Sequence, residues 1–444
     1  MAPVVDVHTH IYPPAYVSLL RSRTDVPYMR TFADNPSAGE RLVILPSEDA
    51  ATSTARGRPI GPEYYEEEEK IKFMDKHNID ISVISLANPW LDWCDASDAA
   101  SVATQINDDV EQVCSRHPGR LYAFGTLPLS AGADAVVAEI KRLTTLSHFR
   151  GVIIGTSGLG NGLDDPALEP IWAALQSTKQ LVFLHPHYGL PASVYGDRAA
   201  EYGHVLPLAL GFPLETTIAI TRAILSGVFD KFPGLEMLLA HSGGTLPFLA
   251  GRIESCIAHD GHLKQASKIA GRRSIWDILK ANIYLDAVVY GEAGLKAAME
   301  ASGKDRLMFG TDHPFFPPLE DEDNEWLSVK TNEKAVSGVF GSDDQGRDDV
   351  MGGNAVRVLR LGSSFSFLHG LSGIPSYCLT FPPRHPAGAA AIPPGAAVNP
   401  AFKLSSPPGE GWDVFCTSPP AFFCYWYACN NPPSCGMHVS KSRL

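Results

Sequence analysis

Asp6-Val7-His8-Thr9-His10 closes the first apolar run of the chain, Pro3 to Val7. As a β-strand, this run sends alternate side chains to opposite faces, so His8 and His10 point the same way, about 7 Å apart. Two neutral imidazoles on one strand face can converge on zinc or another first-row divalent metal. A pair of ordinary surface histidines would read the same, so the metal reading needs further ligands. Later apolar runs supply them: Leu181–His187 carries His185, Leu235–His241 ends in His241, and Arg306–Asp312 ends in Asp312.

Between these runs the pattern alternates. Helical spacing over Tyr64–Asn78 puts Ile71 and Met74 on one face and leaves the Glu66–Glu69 run on the solvated side. Apolar strands are predicted at 79–87, 121–129, 151–155, 181–185, 235–240, 282–289 and 306–310. Helices are predicted at 101–115, 134–146, 166–176, 214–232, 246–258, 294–302 and 354–361. With the first run included, eight strands alternate with helices, the pattern of a (β/α)8 TIM barrel. A doubly wound open sheet explains less. Every candidate ligand falls at the C-terminal end of its strand, the face where barrels place their chemistry, and no G-x-G-x-x-G or G-x-x-x-x-G-K-[ST] follows a strand. The segment from His10 to about Gly61 is too irregular for a helix–strand reading and is expected to form a long lid inserted after strand one. Its Arg56 and Arg58 are candidates to meet an anionic substrate.

The 444 residues, 45% hydrophobic, can bury a large core as one barrel or two domains. A formal net charge of −13 argues against nucleic acid or an anionic membrane as partner. The start carries no basic leader and no run of about 18 apolar residues is evident, so a soluble, cytoplasmic protein is expected. Only Cys94, Cys114 and Cys256 precede residue 363, with no metal or disulfide spacing. Beyond Gly362 charge becomes sparse, proline pairs recur from Pro382-Pro383 to Pro432-Pro433, and Cys416, Cys424, Cys429 and Cys435 cluster. The expectation is a barrel domain over 1–362 and a disordered Pro/Cys-rich tail over 363–444.

On a barrel, His8 and His10 end strand one, His185 strand five, His241 strand six and Asp312 strand eight. That nitrogen–oxygen set suits Zn²⁺ or Mn²⁺, with a position left for water or substrate. The strings DVHTH (6–10), LHPHYG (184–189), LLAHSGG (238–244) and MFGTDHPFF (308–316) resemble the amidohydrolase superfamily. Within it they resemble decarboxylases related to aminocarboxymuconate-semialdehyde decarboxylase, over roughly residues 1–361. With Asn88-Pro89-Trp90 and Phe315 added, the pattern is similar to fungal uracil-5-carboxylate (isoorotate) decarboxylases.

The resemblance implies that His8, His10, His185 and Asp312 hold one divalent ion, zinc first and manganese as the alternative. It makes His241 a catalytic or water-binding residue beside the metal, and Arg58, Asn88 and Phe315 substrate contacts. It also implies a homodimer, or a dimer of dimers, in which Arg252 reaches into the neighbouring subunit's site. Helical spacing sets Arg252 on a stripe with Phe248, Leu249 and Ile253, where a snorkelling surface arginine is the plain alternative. Many binuclear relatives carry a carboxylated lysine at the end of strand four. Here that strand ends Ile154-Gly155-Thr156, with no lysine between Lys141 and Lys179, so a single-metal site is expected.

The activity implied is metal-dependent, non-oxidative decarboxylation of a planar unsaturated or aromatic carboxylic acid, with uracil-5-carboxylate to uracil and CO₂ foremost. Asp312 is the candidate proton donor, with His241 orienting it or a metal-bound water. The alternatives are decarboxylation of aminocarboxymuconate semialdehyde or a hydroxybenzoate, and mononuclear hydrolysis of a cyclic amide or lactone.

Overall fold

Val5–His10 (β1) is buried along its whole length, and that burial fixes its place in the interior wall of a barrel. The computed structural model describes residues 2–49, 56–265, 271–318 and 325–362; the tail expected over 363–444 lies outside the described residues. After β1 come three short strands, Tyr28–Thr31 (β2), Glu40–Val43 (β3) and Arg58–Pro59 (β4). The wall resumes with Ile81–Ser85 (β5), Leu121–Thr126 (β6), Phe149–Gly155 (β7), Leu181–His185 (β8), Met237–Leu239 (β9), Ile283–Asp286 (β10) and Leu307–Met308 (β11).

These eight wall strands form one parallel sheet in the order β1-β5-β6-β7-β8-β9-β10-β11. The ends meet: Val7 N donates to Phe309 O at 3.0 Å, Asp312 N to His8 O at 2.7 Å and His10 N to His313 O at 2.8 Å. The sheet is thereby closed as a (β/α)8 barrel, with no exposed edge and with helices packed around it. Buried residues fall into two large groups. One includes Val152, Leu239 and Leu285 with helix residues such as Trp172 and Ile220; the other includes Val7, Phe183 and Met308.

One expectation needs correcting. The segment after His10 is not irregular throughout. Pro14–Ser22 is a helix, and β2, β3 and β4 make an antiparallel sheet, with Tyr28 paired to Val43 and Leu42 to Arg58. The helix buries Tyr16, Val17 and Leu20, and the strands are too short for alternation to stand out in sequence. Among the described residues one helical stretch, Pro207–Leu225, is long and apolar enough to cross a membrane by length and composition, although Glu215 and Arg222 interrupt it. Within it, Phe212–Leu225 buries Thr216, Thr217, Ala219, Ile220, Ala223 and Ile224, so apolar composition here serves a helix packed on a barrel.

Candidate metal centre and active site

His8, His10, His185 and Asp312 are buried, and each offers one ligand atom within 4.8 Å of all the others. The barrel places them as the strand-end argument required. His8 and His10 are on β1, His185 is the last residue of β8, and Asp312 lies just beyond β11 with φ +61°. Left-handed backbone at a non-glycine residue costs about 1–2 kcal/mol and collects at functional sites. Here the Asp312 N–H bond to His8 O holds the turn.

Each histidine is oriented by a partner on its other nitrogen. His8 Nδ1 lies 2.6 Å from Asp286 Oδ2 at the end of β10. His185 Nδ1 lies 2.8 Å from Pro186 O, which can only accept. His10 Nδ1 lies 3.0 Å from Ser85 Oγ, whose own proton goes to Thr9 O at 3.3 Å. In their neutral form all three rings therefore carry their proton on Nδ1 and turn the Nε2 lone pair inward. Those three Nε2 atoms are buried and have no hydrogen-bond partner. Three inward lone pairs and a carboxylate form a donor set that fits one divalent ion.

The electrostatics favour ligation. Burial lowers the His10 pKa to about 4, aided by the charges of His8 and Lys70 and opposed by Asp312. Burial likewise holds His185 well below the usual imidazole value. For Asp312, burial raises the pKa, but the positive charge of His8 and the close approach of the His10, His241 and His8 ring nitrogens outweigh it. Its carboxyl is held well below the ordinary range. Two neutral imidazoles and an ionised carboxylate are the protonation states a metal requires. Burial lowers the His8 pKa too, but Asp312 and Asp286 outweigh burial and raise that pKa to about 10, so His8 must release a proton to join them.

His241 follows β9 in a tight turn, with φ +51° both at His241 and at Ser242. Asp286 holds this turn by accepting from His241 N at 3.0 Å and Ser242 N at 2.8 Å. Gly244 continues it where no side chain fits, because a Cβ there would lie 2.0 Å from Pro213 O. The result puts His241 Nε2 3.5 Å from Asp312 Oδ2, on the side away from the ligand pair His8 and His10, which approach Oδ1.

The remaining candidates divide. Phe315 lies edge-on to His10, with ring centroids 5.6 Å apart, and to Tyr64 at 5.7 Å. Asn88 is buried; its side-chain amide donates to His187 O and its backbone carbonyl accepts from Tyr12 Oη at 2.6 Å. Arg58, on β4, is part-buried, with Nε 3.3 Å from Glu48 Oε1. Arg56 is bound to Asp49 at 2.8 Å. Arg252 is exposed on the outer helix Leu246–His259 and takes part in no hydrogen bond or ion pair among the described residues. β7 ends at Gly155, where a Cβ would lie 2.9 Å from the Trp90 ring, so no lysine can stand there without displacing Trp90.

Sequence reasoning missed Asp286, Ser85, Asp6 and Lys70. Asp286 had a signal, being the one charged residue in the run Ile283-Tyr284-Leu285-Asp286. Lys70 had none: it follows four glutamates and looks like part of a solvated face, yet its side chain is fully buried.

Residues 5–361 match the amidohydrolase family. The chain belongs to that family. Among solved structures, this amidohydrolase is similar to an apo IDCase, an isoorotate decarboxylase, from Metarhizium anisopliae. That pair shares 55% identity with a TM-score of 0.78, covering 82% of this chain and 98% of the other. It is 29% identical to a 2-amino-3-carboxymuconate-6-semialdehyde decarboxylase of Dictyostelium discoideum, over 68% of this chain and 79% of that one. It is 30% identical to a gamma-resorcylate decarboxylase of a Rhizobium strain, over 55% of this chain and 76% of that one. The amidohydrolase described here is a metal-dependent carboxy-lyase.

Proposed function

We propose that the enzyme converts uracil-5-carboxylate to uracil and CO₂ at one divalent ion held by His8, His10, His185 and Asp312. The observation that carries the substrate is the 55% identity to the Metarhizium isoorotate decarboxylase over nearly all of that chain. Direct loss of CO₂ from an sp² carbon leaves a localised carbanion, so the ring carbon takes a proton first. The electron pair of the breaking carbon–carbon bond then restores the ring as CO₂ leaves. The ion, when bound, supplies Lewis-acid polarisation of the substrate carboxylate and a neighbouring ring oxygen. Asp312 delivers the proton and His241 returns one to its Oδ2. Phe315 lies against the ring, and Asn88 and Arg58 bind ring oxygens, Arg58 leaving Glu48 to do so. Three imidazoles and one carboxylate favour zinc; manganese, present in a dihydroxybenzoic acid decarboxylase of Polaromonas of the same fold, is the alternative.

Purified enzyme assayed for CO₂ will favour uracil-5-carboxylate over 2,6-dihydroxybenzoate and aminocarboxymuconate semialdehyde by at least about tenfold in kcat/KM. A preference for either competitor overturns the substrate; ring opening without CO₂ overturns the reaction.

The proposal extends to a C₂ dimer in which Arg252 completes the partner's pocket. Arg252 lines a groove of about 590 Å³ that is mostly apolar, with Leu225, Leu249, Ile253 and Ile257 in its lining beside the polar Asp260 and His262. Phe248 beside it is 82% exposed, and Ile218 is 50% exposed, an apolar surround more typical of an interface than of a solvated helix. A guanidinium with no partner among the described residues can grip a carboxylate through two bonds. Arg252→Ala and Asp312→Asn, each inactive alone, will regain activity when their subunits are mixed and exchanged. Up to one working site per heterodimer is expected, and heterodimers without activity remove Arg252 from the neighbour's site.

We also propose that 1–362 is the functional unit. The last helix, Asn354–Leu359, is followed by Arg360 in left-handed backbone, and the family match ends at Leu361. A chain ending at Gly362 will keep kcat and its melting temperature; a fall of more than a few degrees would show that the tail stabilises the barrel.

A further inference from the structure

Behind the metal ligands, on the outer side of the barrel wall, a lysine joins the first and last strands. Thr9 stands between His8 and His10 and faces away from them, as His313 faces away from Asp312. Lys70, from the helix Glu67–Lys76, donates to Thr9 Oγ1 at 2.6 Å and to His313 Nδ1. Its side chain is fully buried, a costly place for an amine. His313 is sandwiched by Phe73, with ring centroids 3.7 Å apart, and Trp326 at 4.4 Å. Thr9 Oγ1 passes its own proton to His313 O at 3.1 Å.

A second set of bonds crosses the same seam. Asp6 accepts from His8 N at 3.1 Å, Thr311 N at 3.1 Å and Thr311 Oγ1 at 2.7 Å, and His313 N donates to Thr311 Oγ1 at 3.1 Å. Residues 6–10 and 311–313 are thus tied residue by residue. Backbone bonds cross the seam at the ligands themselves, Asp312 N to His8 O at 2.7 Å among them, whereas the Asp312 carboxylate only faces the rings, its oxygen 3.2 and 3.5 Å from the His8 and His10 Nε2 atoms.

We propose that Lys70 is a positioning residue for the metal site, locking the β1–β11 seam so that Asp312 meets His8 and His10 at ligating distance. The role needs only two N–H donors, so amine and ammonium serve equally. It rests on the metal-site reading above and adds to it a residue that touches neither metal nor substrate.

The test titrates metal-free protein with Mn²⁺ by calorimetry and records the visible spectrum of the Co²⁺-loaded form. Lys70→Met will bind Mn²⁺ about 10- to 100-fold more weakly, the usual effect of removing a partner that orients a ligand, and will shift the Co²⁺ bands. Lys70→Met/His313→Phe replaces both ends of the bond by apolar groups, which restores much of the stability lost by leaving one end unpaired. The weak affinity and shifted spectrum will persist in it although the melting temperature recovers. Recovery of affinity together with melting temperature would make Lys70 a folding residue only and overturn the proposal, as would unchanged affinity in a folded Lys70→Met protein. Thr9→Val, which keeps shape and charge, serves if Lys70→Met yields no soluble protein. It will weaken Mn²⁺ several-fold, and an unchanged value overturns the proposal. Wild-type protein that binds no Mn²⁺ would instead sink the metal-site reading, and this inference with it.

Discussion

Protein carrying alanine at both His8 and His10 will hold no stoichiometric divalent metal and show no measurable turnover. Two of the four donors are gone, and His185 with Asp312 alone leaves a two-point site open to water. The fold will survive the change. Removing His8 strips one partner from Asp286, but that carboxylate still accepts from His241 N, Ser242 N and Val288 N. The melting temperature will no longer rise when metal is added, whereas the native protein gains about 2.7 kcal/mol at a hundredfold excess over Kd. Elemental analysis decides the matter: a full equivalent of metal retained by the double variant would falsify the ligand assignment.

Much of the barrel was legible because wall strands buried on both faces read as plain apolar runs, and β8 was placed to the residue. Shorter elements escaped. β9 and β11 are three and two residues long, and the loops carrying His241 and Asp312 absorbed the rest of their predicted strands. Beyond the segment after His10, the helix Ile275–Ala281, despite a capping box of Ser274 with Asp277, and the helix Leu327–Phe340 had no predicted counterpart. The clustered donors His8, His10, His185 and Asp312 were legible as candidates because a histidine ending an apolar run is unusual. The groups that orient them were not, because Ser85, Asp286 and Lys70 act through contacts 75, 278 and 243 residues apart in sequence. Periodicity reports a residue's face, and it carries no information about which distant side chain meets it there. Arg58 shows the same limit: sequence offered it and Arg56 alike, and only the β3–β4 pairing placed Arg58 on a strand.

Asp312→Asn will lower kcat by about 10²–10⁴, the range over which a positioned proton donor contributes. The substitution keeps the size of the side chain and one oxygen to face His8 and His10. It removes the group that can carry a proton from the His241 side to the substrate. The geometry separates the two tasks: Oδ1 lies 3.2 Å from His8 Nε2, while Oδ2 lies 3.5 Å from His241 Nε2. The resting carboxyl is held well below the ordinary carboxylate range, so it enters the cycle ionised and must be charged with a proton before it can give one. That makes His241 the expected source, and His241→Ala will lower kcat in the same direction while leaving the four metal donors in place. Metal will bind Asp312→Asn more weakly but measurably, because three imidazoles remain. Uracil, which asks for no proton, will bind the metal-loaded variant within a few-fold of the native enzyme. If metal-saturated Asp312→Asn turns over within tenfold of the native rate, Asp312 is a ligand only and the proton comes from elsewhere in the pocket.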